Sequence, residues 1–412
     1  MSQPTPAVEV PQQAEPLFNP MSSDVIANPY PHYHRLRTLD PVHRSPLGVL
    51  VASRHADVSF VLRDKRFGKD FVGRMSRRFG PQVLDEPVYR SMRHWMLQLD
   101  PPDHTRLRGL VVKAFTARRV EDMRPRIQEI VDQALDRVEQ RGQMDLIADF
   151  ALRLPVTVIC DMLGIPEEDH ETIFSGARAG GRLLDPVPLS RAEIDKANAD
   201  NLAIAAYFRT LFELRRRQPG DDLTTQLVQA EEQGHKLTNE ELTANVILLF
   251  GAGHETTVNL IGNGLLALHR HPDQLRLLKE NPALIANAIE ELLRYDSSVQ
   301  LTGRTALENV SVGGVDVAMG ESVLCLLGAA NRDPAVYPDP DRLDITRSNV
   351  RPMSFGGGIH FCLGAQLARI EGEIAIATLL RRLPDLELDD LWRPDWRPTF
   401  VLRGLNRLPS RW

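Results

Sequence analysis

One short stretch near the C-terminus constrains this chain more than any other, because it places a single cysteine at the end of a glycine-rich turn. The stretch runs from Phe355 to Ala365 and reads FGGGIHFCLGA. Glycines admit backbone conformations closed to other residues, so such a loop can lie flat against a planar group and aim N–H groups at the sulfur. The apolar run that follows has helical character, and a helix N-terminus lowers the pKa of a thiol. The pattern therefore predicts that Cys362 is a thiolate ligand for a metal.

A simpler interpretation of Cys362 competes with this one. A lone cysteine among glycines and apolar residues is most often a small buried hydrophobic side chain. The order F-G-x-G-x-H-x-C-x-G is much less permissive, and it resembles the haem-binding signature of the cytochrome P-450 family. This resemblance implies a haem b cofactor with Cys362 as the iron ligand. The matching positions, which the resemblance assigns to cofactor and metal binding, are Phe355, Gly356, Gly358, His360, Cys362 and Gly364.

Length and composition bound what surrounds this loop. The chain has 412 residues, enough to bury a large core, and its formal net charge of −6 gives no support to nucleic-acid binding. Its 3 cysteines offer neither a disulfide framework nor zinc-ligand spacing and suit a reducing compartment, so we expect a cytoplasmic protein. Prolines without an apolar run predict a disordered tail over residues 1–22 and no membrane anchor. We expect residues 23–412 to form a single haem domain.

The longest helical pattern begins at a predicted capping box, Thr238 with Glu241, and runs without a proline to His271. A helix of this length crosses the core of a domain. Its centre reads AGHETT over residues 252–257, and the small residues there would let a flat group approach the backbone. A threonine can bond the carbonyl of the preceding turn and bend a helix, which opens a groove for water and dioxygen.

This centre also resembles the distal motif of the cytochrome P-450 family, small-Gly-x-acid-Thr-Thr. The resemblance implies that Ala252 and Gly253 lie against the haem and that Glu255 and Thr256 are catalytic. A hydroxyl both donates and accepts hydrogen bonds, while a carboxylate can relay protons from solvent. An ordinary buried helix is the alternative interpretation.

Two further stretches carry basic groups suited to carboxylates. In LDPPDHTRLR, residues 99–108, proline and aspartate mark a helix start that puts His104 and Arg108 on one face. Arg304 lies on a predicted strand before a hairpin with a Gly313-Gly314 turn. In the resembled family these positions bind the haem propionates, and a histidine with a guanidinium suits paired carboxylates. Taken alone, each of the three is also typical of a solvated surface.

A helix predicted from residue 282 to residue 295 carries Glu291 and Arg294 at i, i+3. Such a pair on a surface contributes only about 0.2–0.5 kcal/mol. In its position after the long helix, however, it resembles the E-x-x-R element of the family. The resemblance implies a structural salt-bridge network with Arg342 as its third member.

Helical patterns far outnumber strands, so the predicted fold class is mainly α with minor β, the α+β fold of the resembled family. Residues 67–98 show no clean period and indicate either an irregular lid or a variable surface loop. Glycines and prolines between about 175 and 200 predict a flap between two helices, with helical periodicity returning at Asn201. A short strand is predicted at residues 399–402.

The resemblance covers about residues 28 to 412 and implies a monomeric haem-thiolate monooxygenase, which inserts one oxygen atom of dioxygen into a C–H bond by hydroxylation or epoxidation. No dinucleotide motif follows a strand, so electrons would come from a separate ferredoxin and its NAD(P)H-dependent reductase. Two alternatives stay open: a peroxide-driven peroxygenase and a non-catalytic haem sensor.

Two groups of residues are candidates for contact with other molecules. Lys113, Arg118 and Arg119 lie in or just beyond the helix that carries the predicted propionate ligands. They would steer an acidic ferredoxin, and a solvated basic cluster is the alternative interpretation. The predicted substrate pocket is mostly apolar and favours a lipophilic molecule such as a terpenoid, steroid, fatty acyl chain or macrolide. Its candidate residues are Phe71, Trp95, Leu248, Leu301, Thr302 and Val401.

Overall fold

The computed structural model describes residues 17–46, 48–170, 173, 181–229, 231–232 and 235–412. Helices dominate this part of the chain and the strands are short, so the predicted class, mainly α with minor β, is confirmed. The α-helices, in chain order, are Ser23–Ala27, Tyr30–Leu39, His55–Arg63, Phe71–Phe79, Pro87–Met92, Asp103–Ala114, Ala117–Asp122, Arg124–Asp136, Arg153–Leu163, Arg191–Arg217, Leu223–Gln229, Asn239–Arg270, Pro272–Glu280, Ile285–Tyr295, Leu327–Ala330 and Ala365–Arg382.

The largest described sheet has five strands, and it carries Arg304 on an inner strand. In spatial order the strands are Val42–Arg44, Leu50–Ala52, Ser322–Leu326, Leu301–Ala306 and Phe67–Gly68. Leu50–Ala52 runs parallel to Ser322–Leu326, and the other neighbours are antiparallel. The smaller groups are Glu387–Leu388 with Pro409–Arg411 and Gln143–Asp145, Asp395–Trp396 with Leu405–Arg407, Glu231–Glu232 with His235–Lys236, and Val310–Val312 with Val315–Val317.

The helix Asn239–Arg270, which we call the central helix, runs through the main core. It begins at the predicted capping box, in which the Thr238 hydroxyl accepts the Glu241 N–H and the Glu241 carboxylate accepts the Thr238 N–H. Most of its residues are buried, and it packs against Arg153–Leu163, Ala365–Arg382 and Ile285–Tyr295. A helix that is apolar on all sides is stable only inside a protein, so the central helix is the frame on which other elements are placed.

Two local predictions differ from the structure. Residues 67–98 form short helices, including Phe71–Phe79 and Pro87–Met92. The first of these does bury a periodic face, Phe71 and Met75 at i, i+4, which the sequence prediction missed. The predicted strand at 399–402 is wrong except for a single bridge between Val299 and Leu402. The reason is that the N–H groups of Phe400 and Val401 donate to the Asp185 carboxylate and are not free for a strand partner.

The structure describes part of the predicted flap and part of the predicted N-terminal tail. Helical structure resumes at Arg191, ten residues before the predicted Asn201, after a capping box of Ser190 and Glu193. Residues 174–180 of the flap and 1–16 of the tail lie outside the described residues. In the rest of the tail, Phe18 is buried against Phe400. The division into a tail and one domain stays a prediction.

Among the described helices, none is both long and apolar enough to span a bilayer.

A buried ion pair joins the helix Ile285–Tyr295 to the loop that follows the sheet. Glu291 and Arg294 are fully buried and make two hydrogen bonds of 2.7 Å to each other. The predicted third member is corrected: Arg342 offers only its backbone carbonyl, to Arg294 at 3.1 Å, and its side chain is exposed. Arg347 supplies the second cation instead, at 3.4 Å from Glu291. The turn after residue 342 brings Arg347 back over the pair, which linear spacing does not reveal.

Removing the acid of this pair tests its structural role. Glu291→Ala leaves the Arg294 guanidinium buried without its carboxylate, so the free energy of unfolding should fall by about 3 to 5 kcal/mol in urea titrations. Glu387→Ala, which breaks an exposed pair with Arg411, is the matched control and should change stability little. Equal losses in the two variants would show that the buried network has no special structural weight.

Candidate active site

The central helix, residues 355–364, which we call the cysteine loop, and the five-stranded sheet together enclose a cavity of about 660 Å³. One wall is formed by residues 247–257 of the central helix, and the facing wall by Ser354–Gly356 and His360–Gly364. The sheet contributes Leu301–Arg304, and the lining is predominantly apolar. The structure therefore brings the two main predicted motifs, separated by about one hundred residues, to opposite sides of one space.

The cysteine loop owes its shape to two glycines with positive φ. Gly356 has φ +70° and Gly358 has φ +65°, a region that side chains rarely adopt. A Cβ on Gly358 would lie 2.2 Å from the Leu62 carbonyl oxygen, so the loop fits against the helix His55–Arg63 only without a side chain there. Gly358 lies behind the loop and outside the cavity lining, whereas Gly356 and Gly364 line the cavity. The loop returns through a hydrogen bond from the Cys362 N–H to the Phe355 carbonyl at 3.0 Å.

Cys362 is exposed to the cavity just before the helix Ala365–Arg382. Surrounding protein raises the pKa of its thiol by desolvation, while the Gly364 N–H and the Arg108 and Arg369 guanidinium groups lower that pKa in part. The expected lowering by the helix N-terminus is thus outweighed by burial. A bound metal ion deprotonates a coordinating thiol outright. The buried Cys160 and Cys325 have thiol pKa values raised to about 12 and do not line the cavity.

A group of basic residues, His104, Arg108, Arg304 and Lys69, lies at one side of the cavity and is called the basic wall here. Arg108, Arg304 and Lys69 line the cavity, and His104 packs against His360, which also lines it. Arg108 donates to the Phe361 carbonyl at 2.6 Å, which ties it to the cysteine loop. Arg304 and Lys69 are buried and donate to the Gly303 carbonyl at 3.0 and 3.2 Å. Burial lowers the pKa of each of the four groups. Lys69 was not foreseen from the sequence.

Within the part of the chain that the structure describes, no carboxylate forms an ion pair with a member of the basic wall. The charge of Asp100 acts on Lys69, His104 and Arg304, but its carboxylate accepts the backbone N–H groups of Lys69 and Asp70. Both ring nitrogens of the buried His104 and the Nε2 of His360 have no hydrogen-bond partner among the described residues, and the two rings are 4.4 Å apart. Buried cations and ring nitrogens without partners are costly, so a bound molecule with carboxylates is expected. A thiol and a set of basic groups that line the same predominantly apolar cavity fit a haem with its two propionates.

The middle of the central helix presents its small residues to the cavity. Gly251 and Ala252 are exposed there, and Gly253 packs so closely on Ile159 that an added Cβ would lie 3.2 Å from it. The Thr256 hydroxyl donates to the Ala252 carbonyl at 3.0 Å, the preceding-turn bond expected from the sequence. Its lone pairs remain free to accept a hydrogen bond from a molecule in the cavity.

Glu255 lines the cavity but is not a free acid. Its carboxylate accepts a hydrogen bond from Arg397 at 2.9 Å, and both side chains are largely buried. Arg397 also donates to the Leu405 carbonyl at 3.2 Å, so the pair fixes the C-terminal hairpin to the central helix. Sequence reasoning missed this partner, since Arg397 lies 142 residues away.

Glu371 is a second carboxyl group of the cavity that sequence reasoning missed. It lies on the helix after Cys362, is 1% exposed, and neither of its oxygens makes a full hydrogen bond to a described residue. Desolvation raises its pKa to about 8, and the nearby Thr257 hydroxyl lowers that pKa only in part. The carboxyl is therefore neutral at pH 7. A glutamate between Ile370 and Gly372 on an apolar helix face was the available signal.

Five of the six predicted substrate residues line the cavity, and one does not. Trp95, Leu248, Leu301, Thr302 and Val401 line the cavity. Phe71 does not, because it packs into a separate cluster of side chains from its own helix and the following one. That cluster consists of Phe71, Met75, Val88, Tyr89 and Met92.

Comparisons with known proteins agree with this architecture. The family described as cytochrome P-450 matches residues 204–403. Cytochrome P-450 107B1 of Saccharopolyspora erythraea is 45% identical over 393 residues, 92% of this chain and 94% of that protein. The crystal structure of P450BioI in complex with hexadec-9Z-enoic acid ligated acyl carrier protein has a TM-score of 0.88 at 40% identity and covers 95% of this chain and 99% of that one. Myxobacterial CYP267B1 in complex with myristic acid has a TM-score of 0.87 at 44% identity, covering 95% and 98%.

Fold and likeness together define a haem-thiolate monooxygenase. The chain belongs to the cytochrome P-450 family. Members of this family use a haem cofactor, external electron donors and lipophilic substrates, as the sequence resemblance implied.

Glu371 provides a test of the buried electrostatics. Its carboxyl has a pKa of about 8 in the folded chain and an ordinary value of 4.5 when unfolded. Unfolding therefore releases a proton between these pH values, and this group makes stability fall as the pH rises through that window. Glu371→Gln should remove this contribution, so variant and parent should match near pH 4.5, and the variant should be more stable at pH 9 by on the order of 4 kcal/mol. Urea titrations at both pH values measure it; parallel stability curves would contradict the assignment.

Proposed function

We propose that the protein is a ferredoxin-dependent monooxygenase that hydroxylates or epoxidises a lipophilic molecule, with Cys362 as the ligand of a haem b. The observation that carries this proposal is the cavity itself: one wall offers the thiol, another the unpaired basic groups, and a third the threonine. All three features fit one bound group, and none of them is needed for the packing of a protein core. When bound, the haem iron supplies the activation of dioxygen.

The basic wall would bind the propionates of the haem. The cysteine loop would bind its iron through Cys362. Arg108, Arg304 and Lys69 offer charge-assisted hydrogen bonds to carboxylates. His104 and His360, whose pKa values burial lowers, add neutral ring N–H donors. Phe355 stacks under the Arg369 guanidinium at 4.5 Å and stiffens the loop beneath the sulfur. Ala252 and Gly253 leave room for the macrocycle against the central helix.

On the central helix, Thr256 and Glu255 would take part in proton transfer. The Thr256 hydroxyl can accept a hydrogen bond from water in the cavity and, on rotation, could donate one to a molecule held there. Glu255 can relay protons inward once its bond to Arg397 opens. An acid and alcohol in this position favour dioxygen chemistry over peroxide-driven turnover. A haem sensor would need neither group.

The apolar lining supports a lipophilic substrate, and long-chain acyl compounds are the class we favour. One relative described above was solved with a hexadecenoic acid carried on acyl carrier protein, and another with myristic acid. Both are extended chains that suit a deep apolar cavity. The lining residues that would contact the chain are Trp95, Leu248, Ile204, Leu301 and Val401.

An acidic ferredoxin would dock beside the cysteine loop. Of the three predicted basic residues, Arg118 is 92% exposed and only loosely paired with Asp122 at 3.8 Å. Arg119 is neutralised by an ion pair with Asp221, and the Lys113 side chain lies outside what the structure describes. Arg118 is therefore the strongest candidate for steering the ferredoxin, and the ionic-strength dependence of electron transfer tests it.

We further propose that the protein is a monomer in the cytoplasm, where its three thiols stay reduced.

Thr256→Ala tests the proposed chemistry. With a ferredoxin, its reductase and an authentic substrate, the variant should bind haem normally and still consume NADPH. More of the reducing equivalents should end as hydrogen peroxide, and product per NADPH should fall several-fold, because the groove loses the group that positions water. Thr256→Ser keeps the hydroxyl and is the matched control.

The same assay separates the alternatives. Product formed from hydrogen peroxide alone at the rate of the complete system would identify a peroxygenase. No oxygen uptake with any donor would identify a sensor. If Thr256→Ala couples as well as the parent, the proposed role of Thr256 is wrong.

A further inference from the structure

The helix Phe71–Phe79 carries three arginines, and one of them points to a further binding function. Arg77 pairs with Asp70 at 2.6 Å and lies on the exposed side. Arg78 donates to the Pro186 carbonyl. Arg74 instead lines the cavity, with its guanidinium 5.7 Å from the centre of the Phe71 ring. It is the arginine of this helix that faces the space where a substrate would lie.

Arg74 has only a neutral partner. Its Nη2 donates to the Gln98 side-chain oxygen at 3.1 Å, and its Nε is buried with no acceptor among the described residues. Gln98 is itself buried and lines the cavity. The Arg74 side chain is partly buried, and a guanidinium withdrawn from water is unfavourable unless a hydrogen-bonded anion accompanies it. The missing anion must then be sought in the cavity or in a molecule that enters it.

The carboxyl groups that line the cavity do not supply this anion. Asp200 pairs with Lys196 at 2.8 Å, and Glu255 pairs with Arg397 at 2.9 Å. Burial raises the pKa of Glu371 to about 8, so that group is neutral. Next to Arg74 in the chain, Asp70 is held by Arg77. Each of these acids is therefore committed elsewhere or uncharged.

A bound haem would not supply the anion either. Its two propionates would be held at the basic wall, where Arg108 and Arg304 would balance two negative charges even with Lys69 neutral. Arg74 is thus an additional cation of the same cavity. The same cavity is lined by apolar side chains, among them Val88, Leu183 and Leu184. One cationic group in a predominantly apolar cavity is the arrangement that suits an amphiphile.

We propose that Arg74, supported by Gln98, anchors a carboxylate at one end of the substrate, so that the substrates are long-chain carboxylic acids held by their head group. The planar guanidinium fork matches the two oxygens of a carboxylate. Anchoring the head also fixes how far along the chain the oxidised carbon lies from the carboxylate. This inference rests on the proposed function, since it assumes that the cavity holds a haem and a lipophilic substrate.

The test compares dodecanoate with methyl dodecanoate, which has the same chain without the charge. Isothermal titration calorimetry on the haem-loaded parent should give tighter binding of dodecanoate. Arg74→Gln should weaken dodecanoate by about tenfold or more and change the methyl ester by less than about twofold. Arg77→Gln, on the same helix but turned away from the cavity, should leave both affinities unchanged.

Several results would overturn the proposal. Equal affinity of the parent for the two probes would do so without any variant. Equal weakening of both probes by Arg74→Gln would mean that Arg74 only shapes the pocket. A loss of haem content in that variant would assign Arg74 to the propionates instead. A parent that binds no haem would refute the proposed function, whereas a haem-loaded parent indifferent to the carboxylate would refute only the anchor.

Discussion

The central constraint on this molecule is an imbalance of charge inside its core. Arg304 and Lys69 are buried, and their described contacts are to neutral oxygens, Gly303 O foremost. Arg108 is held to the cysteine loop by a carbonyl alone. The nearby Asp100 carboxylate accepts backbone N–H groups and forms no ion pair with these side chains, so their desolvation is offset only in part. The cavity therefore implies a resident group with carboxylates, and the opposing thiol implies that this group carries a metal.

The rest of the architecture holds these walls at a fixed separation. The central helix is buried along most of its length and carries the small residues that face the cavity. The sheet positions Arg304 through its register with the strand Ser322–Leu326, in which Val323 lies opposite Arg304. The buried pair of Glu291 and Arg294 fixes the loop that leads to the cysteine turn. A mainly helical fold with small sheets thus forms a rigid frame around the cavity.

Much of this was predictable from the sequence where the signal is local. The capping box at Thr238, the long helix, the Gly-Gly hairpin and the glycine-rich cysteine turn are set by neighbouring residues, and the structure has all four. What failed depends on partners far along the chain. Arg397 meets Glu255, Arg347 replaces Arg342, and Asp185 takes the N–H groups that a strand at 399–402 would need. Lys69, Glu371 and Arg74 are ordinary in sequence and become unusual only through burial.

The most direct test of this account is the ligation of iron by Cys362. The reduced carbon monoxide complex of the parent should show the long-wavelength Soret band typical of thiolate ligation. Cys160→Ala and Cys325→Ala should retain that band, because both thiols are buried away from the cavity. Cys362→His should bind haem and lose the band. Survival of the band in Cys362→His, or its loss in either control, would contradict the account.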